Sequence, residues 1–334
     1  MSIKVLTPGL LTSIQDLGRY GYQKFGVIVS GAMDSYSLRL ANILVGNAEG
    51  EGALEISLMG PSVQMEEDII LAITGGNLSP TIDGKPVPMW RPVYVTKGSI
   101  LKFGACRAGC RCYLAVAGGY DIPLVMNSAS TYLRAGIGGF QGRGLEVGDV
   151  LPIKELSEQS LRLLEKLVKK IGLDPFIATA WYIGSRHIPK DPQHVTIRVV
   201  EGRQFEYFTA ASQKDLLNSP FQVTTQSDRM GYRLSGPTIN LVKPLEMISE
   251  AVALGTVQVP PDGNPIILLA DRQSVGGYPK IAQVATVDVA TVAQTKPNGK
   301  IWFERISLDQ AEELYCAREK TIQELAIAIG FKII

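Results

Sequence analysis

Hydrophobic positions along this chain recur mostly at the spacing of short β-strands. Strand-like runs at residues 3–6 and 11–14 are separated by Pro8 and Gly9, a further run at 69–74 is almost wholly apolar, and Asp83-Gly84 joins two more short runs. Short alternating or wholly apolar runs are typical of strands buried on one or both faces, and Asp-Gly is a strong hairpin signal. The run at 69–74 is apolar up to its last residue, Thr74, which indicates a strand buried on both faces. The pattern predicts a mostly β protein with a few helices.

Four stretches favour helices instead, because each has apolar positions at helical spacing, a residue suited to cap the first turn, or both. Their predicted ranges are 34–46, 157–171, 209–217 and 308–329. Asp34 and Thr209 can cap two of them, and Ser307 with Gln310 has the spacing of a capping box before the last.

A chain of 334 residues is long for a single core, so two domains are expected. The helix at 157–171 leads into a segment, 181–192, that is rich in proline and aromatic residues and lacks periodicity. We therefore predict a first domain at 1–155, a helix and linker at 156–194, and a second domain at 195–334 that ends in a helix.

Polar residues are concentrated in the loop before the first predicted helix. Gln15, Asp16, Arg19 and Asp34 lie there among glycines. Glycine permits positive φ angles and close backbone approach, and a helix N-terminus favours anions. The loop can therefore bind a small polar ligand; alternatively, it is a strand–loop–helix connection whose polar groups satisfy one another.

A second stretch repeats this order of residues. Arg19-x-Gly21-Tyr22 aligns without a gap with Arg229-x-Gly231-Tyr232, which suggests two related halves. Between them, residues 136–144 contain five glycines and are flanked by Arg134. This spacing is not the dinucleotide-binding fingerprint. It fits either a lining for an anionic ligand or a mobile surface loop.

Composition and charge narrow the class of protein. Hydrophobic residues make up 46% of the chain and the formal net charge is +1. This balance gives no electrostatic footprint for nucleic acid or for an anionic membrane surface. No apolar run is long enough to cross a bilayer, and the N-terminus enters a strand pattern directly, so a cytoplasmic location is expected.

Several kinds of chemistry lack their motifs. The chain has no P-loop for ATP and no Met-Lys-Met sequence for covalent biotin. Cys106, Cys110 and Cys112 have poor zinc spacing, and the two histidines, His187 and His194, make a metal site or a histidine-based triad improbable. Recognition by Asp, Glu, Arg, Gln and backbone amides remains, a set that can orient a substrate and stabilise an oxyanion.

Taken together, the motifs resemble the KipA/PxpC family, a biotin-dependent carboxyltransferase-like group also called allophanate hydrolase subunit 2. The resemblance covers nearly the whole chain. It rests on Thr12-x2-Gln15-Asp16-x-Gly18-Arg19-x-Gly21, Gly31-Ala32-Met33-Asp34, Tyr132-x-Arg134-Ala135-Gly136-Ile137-Gly138-Gly139, Gly142-Arg143, Ser227-Asp228-Arg229-Met230-Gly231-Tyr232-Arg233 and Asp271-x-Gln273-x2-Gly276-Gly277-Tyr278-Pro279. One small departure is Ser274, where the family pattern has threonine.

The resemblance implies two β-barrel domains similar to cyclophilin. It also implies a KipI/PxpB-type partner that, with a PxpA-type subunit, forms an ATP-dependent 5-oxoprolinase opening 5-oxo-L-proline to L-glutamate. Two alternatives stay open: a carboxyltransferase or allophanate hydrolase type of subunit, and a regulatory protein that antagonises a KipI-type inhibitor of a histidine kinase.

The residues expected to contact a substrate come from both halves of the chain. They are Gln15, Asp16, Arg19, Asp34, Arg134, Asp228, Arg229, Tyr232, Asp271, Gln273 and Tyr278, with Gly138, Gly139, Gly276 and Gly277 as backbone donors to an oxyanion. We expect their loops to converge on one groove, because the ends of barrel strands gather loops at a rim. The alternative is that Asp16–Arg19 and Asp228–Arg229 are local ion pairs that brace each barrel.

Overall fold

The computed structural model describes residues 1–188 and 194–333, and of His194 the backbone alone. The predicted linker at 156–194 and the aperiodic segment at 181–192 therefore lie partly outside the described residues. The described residues fall into two compact units. The first unit comprises Met1–Arg19, Ser30–Lys190 and Thr321–Ile334, and the second comprises Tyr20–Val29 and Asp191–Lys320.

Strands dominate the described part of the chain, which confirms the mostly β fold. In chain order, β1 to β21 are Ser2–Thr7, Leu11–Gln15, Ala53–Ser57, Ser62–Met65, Ile69–Asn77, Thr81–Ile82, Lys85–Pro86, Pro92–Val95, Ile100–Lys102, Ala108–Val116, Val150–Pro152, Phe176–Ala178, His194–Glu201, Phe221–Val223, Gly231–Ser235, Glu250–Ala251, Thr256–Gln258, Ile266–Leu268, Val275–Gly276, Lys280–Val284 and Lys300–Arg305.

Five α-helices accompany the strands in the described residues. In chain order, α1 to α5 are Ser35–Leu44, Glu158–Val168, Ala210–Asn218, Thr286–Gln294 and Leu308–Ile333. As predicted, Asp34 and Thr209 accept a hydrogen bond from the backbone N–H three residues on, and Ser307 and Gln310 form a reciprocal capping box. No helix within residues 1–188 and 194–333 has both the length and the apolar character needed to cross a membrane.

The first unit consists of two six-stranded antiparallel sheets. Their strand orders are β11-β1-β4-β9-β6-β7 and β12-β8-β5-β10-β3-β2. Side chains from both sheets, among them Val5 of β1 and Leu71 of β5, form one fully buried cluster between them. The expected first barrel is thus seen as two sheets packed around a common core.

Helices cover the outer face of the second sheet. Ile70 and Ala72 alternate with Leu71 along β5 and pack with α1, α2 and the C-terminal part of α5. Strand β5 is therefore buried on both faces, as its apolar residues 69–73 predict. Strand β12, from the segment expected to be a linker, pairs with β8 and so belongs to this sheet.

The second unit contains a closed barrel in the order β13-β20-β17-β18-β15-β14-β21. A parallel pairing of β13 with β21 closes it, whereas the other neighbours are antiparallel. Helix α4 is tied to β13 because the Asp288 carboxylate accepts hydrogen bonds from the backbone N–H and the guanidinium of Arg198. The sequence did not predict α4.

Candidate functional site

Asp16, directly after β2, has a carboxylate that is held by several hydrogen bonds. It is 8% exposed and accepts four hydrogen bonds. The donors are the backbone N–H groups of Gly18 (2.7 Å) and Ala129 (2.6 Å) and the hydroxyls of Ser128 (2.8 Å) and Ser130. In return, the Ser130 hydroxyl accepts the backbone N–H of Asp16. The carboxylate therefore holds the segment 128–130 against the end of β2.

Arg19 binds the same segment from the other side of the loop. Its side chain is fully buried, Nε donates to the carbonyl oxygen of Val125 at 3.1 Å, and Nη2 donates to that of Ser130 at 2.7 Å. A charged donor is a strong partner for a carbonyl oxygen. These contacts brace the first unit, and a further contact of Arg19 with a substrate stays a prediction.

The glycine-rich loop packs directly on this arrangement. A Cβ atom at Gly138 would lie 2.1 Å from the Ser130 carbonyl oxygen and 2.6 Å from Nη2 of Arg19. At Gly139 it would lie 1.8 Å from the Thr131 hydroxyl. Both glycines also have positive φ angles. Packing therefore requires glycine here. The Gly139 N–H donates to the Ala129 carbonyl oxygen at 3.0 Å, so of these two amides the oxyanion role of Gly138 stays a prediction.

Asp34 begins α1 and is fully buried. Its two carboxylate oxygens accept from the backbone N–H and the hydroxyl of Ser37, and its own N–H donates to the Tyr113 hydroxyl at 2.8 Å. That hydroxyl donates in turn to Glu55 at 2.7 Å. Burial, followed by the charges of Glu55 and Asp34, raises the pKa of Tyr113 well above its ordinary value, so the phenol keeps its proton and remains a donor.

Arg134 differs from these residues because it is exposed, in the turn between Tyr132 and Ile137. The second arginine near the glycines, Arg143, donates to both carboxylate oxygens of Asp149 at 2.7 and 2.8 Å. This hydrogen bonding is the main cause that lowers the pKa of Asp149. Because its side chain is exposed, Arg134 can meet a ligand from solvent.

In the second unit, Asp228 and Arg229 have different partners from their counterparts in the first. Asp228 is exposed, and one of its oxygens accepts the backbone N–H groups of Met230 (2.8 Å) and Gly231 (3.2 Å) in a local turn. Arg229 makes a two-point ion pair with Asp271, with distances of 2.9 and 3.1 Å. Both side chains of this pair are 7% exposed.

The barrel explains how Arg229 and Asp271 meet. Arg229 precedes β15, Asp271 follows β18, and these two strands are antiparallel neighbours. The backbone N–H of Asp271 also donates to the Arg229 carbonyl oxygen at 2.8 Å. Strand pairing therefore places the two charges side by side at one end of the barrel.

The remaining predicted residues of the second unit differ in exposure. Tyr232 is 3% exposed, and its hydroxyl donates to the Ala293 carbonyl oxygen. Gln273, Gly277 and Tyr278 are exposed, and Gly276 is half-buried in β19. Gln273 and Tyr278, like Asp228, are therefore predicted side chains of the second unit that a ligand can reach from solvent.

Four residues that hold Asp16 and Asp34 in the first unit were absent from the predicted set: Glu55, Tyr113, Ser128 and Ser130. A sequence signal exists for Glu55, since it is a carboxylate inside the apolar strand β3. No group of three or more His, Cys, Asp and Glu side chains in residues 1–188 and 194–333 is arranged to hold a metal ion. The region can thus offer hydrogen bonds and a cationic side chain to a polar ligand.

Comparison with known proteins identifies relatives along nearly the whole chain. The model of the carboxyltransferase domain, subdomain A and B, matches residues 25–305. The chain is 39% identical over 312 residues to the 5-oxoprolinase C subunit of Haemophilus influenzae, covering 93% of this chain and 94% of that protein. It is 37% identical over 325 residues to the 5-oxoprolinase C subunit of Escherichia coli, with 97% of each covered.

A solved structure of a related protein has the same fold along nearly the whole chain. The urea carboxylase of Kluyveromyces lactis superposes with a TM-score of 0.86 at 32% identity, over 97% of this chain and 29% of that longer one. Both the family model and the two bacterial relatives extend over most of this sequence. The chain therefore belongs to the family of the carboxyltransferase domain, subdomain A and B, within which it is similar along nearly its whole length to the C subunit of 5-oxoprolinase.

Proposed function

We propose that this chain is the C subunit of an ATP-dependent 5-oxoprolinase that opens 5-oxo-L-proline to L-glutamate. The observation that carries the proposal is the end-to-end match with the two bacterial relatives, at 39% and 37% identity over nearly all of each protein. A match of this extent leaves little of either relative's sequence without a counterpart here.

Two further subunits complete the proposed enzyme in the cytoplasm. One is of the KipI/PxpB type and the other of the PxpA type. Opening a lactam at neutral pH breaks an amide bond stabilised by resonance, and ATP hydrolysis supplies the driving force. The sequence has no P-loop, so we assign ATP binding to a partner, and we propose no covalent biotin on this chain.

Within this chain, we divide the predicted residues by their exposure. The buried residues Asp16, Arg19 and Asp34 hold loops in place. Arg134 is exposed, and it would pair with the carboxylate of 5-oxo-L-proline, since a guanidinium binds a carboxylate through two parallel hydrogen bonds. The Gly138 amide would stabilise the developing oxyanion, since the Gly139 N–H is engaged by the Ala129 carbonyl oxygen.

The first expected result concerns assembly. Glutamate release from 5-oxo-L-proline should require this chain, both partner subunits and ATP together, because no single chain holds the whole reaction. The measurement is glutamate formed by the three-subunit mixture and by each mixture lacking one component. ATP-dependent turnover by this chain alone would contradict the proposal, and so would full turnover without this chain.

The second expected result concerns Arg134. In the assembled enzyme, Arg134→Ala should raise KM for 5-oxo-L-proline by about tenfold to a hundredfold, the range for losing a hydrogen bond to a charged group. Arg162→Ala serves as the matched control, because Arg162 is also exposed and pairs with Glu158 on α2. Equal KM values for the two variants would remove Arg134 from the site.

One observation favours a second candidate, a carboxyltransferase acting on urea. It is the superposition with the urea carboxylase of Kluyveromyces lactis. Under this alternative, the chain would transfer a carboxyl group to urea from a biotin carried by another protein. Supplying urea and a carboxylated biotin carrier, and measuring carboxylated urea, separates the two candidates, since the lactam reaction needs neither reagent.

A further inference from the structure

Ser30 has a backbone conformation that its side chain makes unfavourable. Its φ angle is +56°, in the left-handed region, and it directly precedes Gly31. A residue with a Cβ atom pays a conformational cost at such an angle that glycine avoids. Residues held in this way are concentrated at ligand-binding and catalytic sites, where function maintains what the fold alone does not require.

The Ser30 hydroxyl adds a second unfavourable feature. The residue is 5% exposed, and within residues 1–188 and 194–333 its Oγ atom has no hydrogen-bond partner. A buried hydroxyl without a partner is costly. Ser79 shows the ordinary case: it also has a positive φ angle, +49°, but its hydroxyl donates to the Ala105 carbonyl oxygen at 2.8 Å.

A second buried polar atom of the first unit also has no hydrogen-bond partner among the described residues. Gln15 is fully buried, and its Nε2 donates to the Thr131 carbonyl oxygen and the Ser13 hydroxyl. Because a carbonyl oxygen needs a donor, these contacts fix which side-chain atom is nitrogen. Its Oε1 accepts no hydrogen bond from the described residues.

The segments that carry these two atoms touch each other. The backbone N–H of Ala32 donates to the Asp16 carbonyl oxygen at 2.9 Å. A Cβ atom at Gly31 would lie 3.0 Å from the backbone nitrogen of Gly18. Residues 30–32 therefore run against the chain just after Gln15, and each segment carries a polar atom that the described fold leaves unsatisfied.

We propose that the Ser30 hydroxyl and the Gln15 side-chain carbonyl form a binding subsite for a small amide. The ligand class follows from the two groups: Gln15 accepts an N–H, and Ser30 donates its hydroxyl proton to the adjacent C=O. A lactam presents these two groups side by side. The identity of that lactam as 5-oxo-L-proline rests on the proposed function.

The test separates the hydroxyl from the backbone strain. Ser30→Gly removes both, Ser30→Ala removes the hydroxyl alone, and Ser79→Gly is the matched control. In the assembled enzyme, both Ser30 variants should lower kcat/KM for 5-oxo-L-proline about tenfold, the effect of losing one hydrogen bond. Ser30→Gly should keep or raise the Tm of the chain, and Ser79→Gly should leave kcat/KM unchanged.

Three results would overturn the subsite. Wild-type kcat/KM in Ser30→Gly would mean that buried water alone satisfies the hydroxyl. Lost turnover with a lowered Tm in Ser30→Gly would mean that Ser30 stabilises the fold and does not bind the ligand. A loss in Ser30→Gly that Ser30→Ala does not share would assign the effect to the backbone and not to the hydroxyl.

Failure of the proposed function is distinguishable from failure of the subsite. If the wild-type enzyme does not turn over 5-oxo-L-proline, the Tm of the chain is measured with 5-oxo-L-proline and with urea. A rise in the wild type that both Ser30 variants lack supports an amide subsite without the lactam reaction. No rise in the wild type, or an equal rise in all three proteins, overturns it.

Discussion

Replacing Asp16 by alanine is expected to lower the free energy of unfolding by about 3–4 kcal/mol. The carboxylate accepts hydrogen bonds from two backbone N–H groups and two hydroxyls, and Ser128 and Ser130 are fully buried. Removing it leaves buried donors without an acceptor, which costs the desolvation of each group.

Asp228→Ala is the matched control for Asp16→Ala, because Asp228 is the acid that precedes the arginine in the second stretch, as Asp16 is in the first, but it is exposed. Its loss should cost about 1 kcal/mol, since water can satisfy the Met230 and Gly231 N–H groups that it releases. Urea unfolding followed by circular dichroism gives both values, and hydrogen exchange at residues 128–131 localises the effect of the first. Equal losses of unfolding free energy in the two variants would show that the hydrogen bonds of Asp16 stabilise the fold no more than the turn hydrogen bonds of Asp228.

Breaking the ion pair between Arg229 and Asp271 should cost about 3–5 kcal/mol when either partner alone becomes alanine. The reason is burial: each side chain is 7% exposed, so the remaining partner keeps an uncompensated charge away from water. The double variant Arg229→Met with Asp271→Leu should recover most of that loss, because similar apolar volume replaces both charges together.

A double-mutant cycle from urea unfolding measures this coupling. The control is Arg305→Ala, which breaks the exposed pair with Glu201 in the same unit and should cost less than about 1 kcal/mol. If the Arg229→Ala and Asp271→Ala losses simply add in the double alanine variant, the two charges do not depend on each other, and the expected cost of an uncompensated buried charge is wrong.

These expected losses decide which residues can report on function. A drop in turnover after Arg229→Ala could not be assigned to a lost ligand contact, because the same change is expected to destabilise the second barrel. Arg134, Gln273 and Tyr278 are exposed, so their replacement tests binding with less effect on folding. Whether the loops that carry them converge on one groove stays a prediction.

Local signals in the sequence predicted those elements whose hydrogen bonds close within a few residues. Asp34 and Thr209 cap their helices as expected, since a capping oxygen reaches a backbone N–H only three residues away. Asp83-Gly84 forms its hairpin with both φ angles positive.

Helix α4 shows where such signals fail. Its residues 286–292 include two threonines and three valines, which favour strands, and Ala285 offers no side-chain cap. Most of α4 is buried, and Asp288 is held by Arg198 of β13. Packing against the barrel therefore outweighed a local preference that pointed the other way.

The chain by itself determined the mostly β class, the capped helices, the family and the residue types of the candidate site, because these depend on periodicity, local spacing and motif order. Only the tertiary structure decided the partners of those residues. Asp16 meets Ser130 across 114 positions and Arg229 meets Asp271 across 42, although the two motifs are alike in sequence. The physical reason is that a partner so distant is chosen by strand pairing and packing, which no local pattern records. The same packing left the Ser30 hydroxyl and the Gln15 carbonyl buried without partners among the described residues.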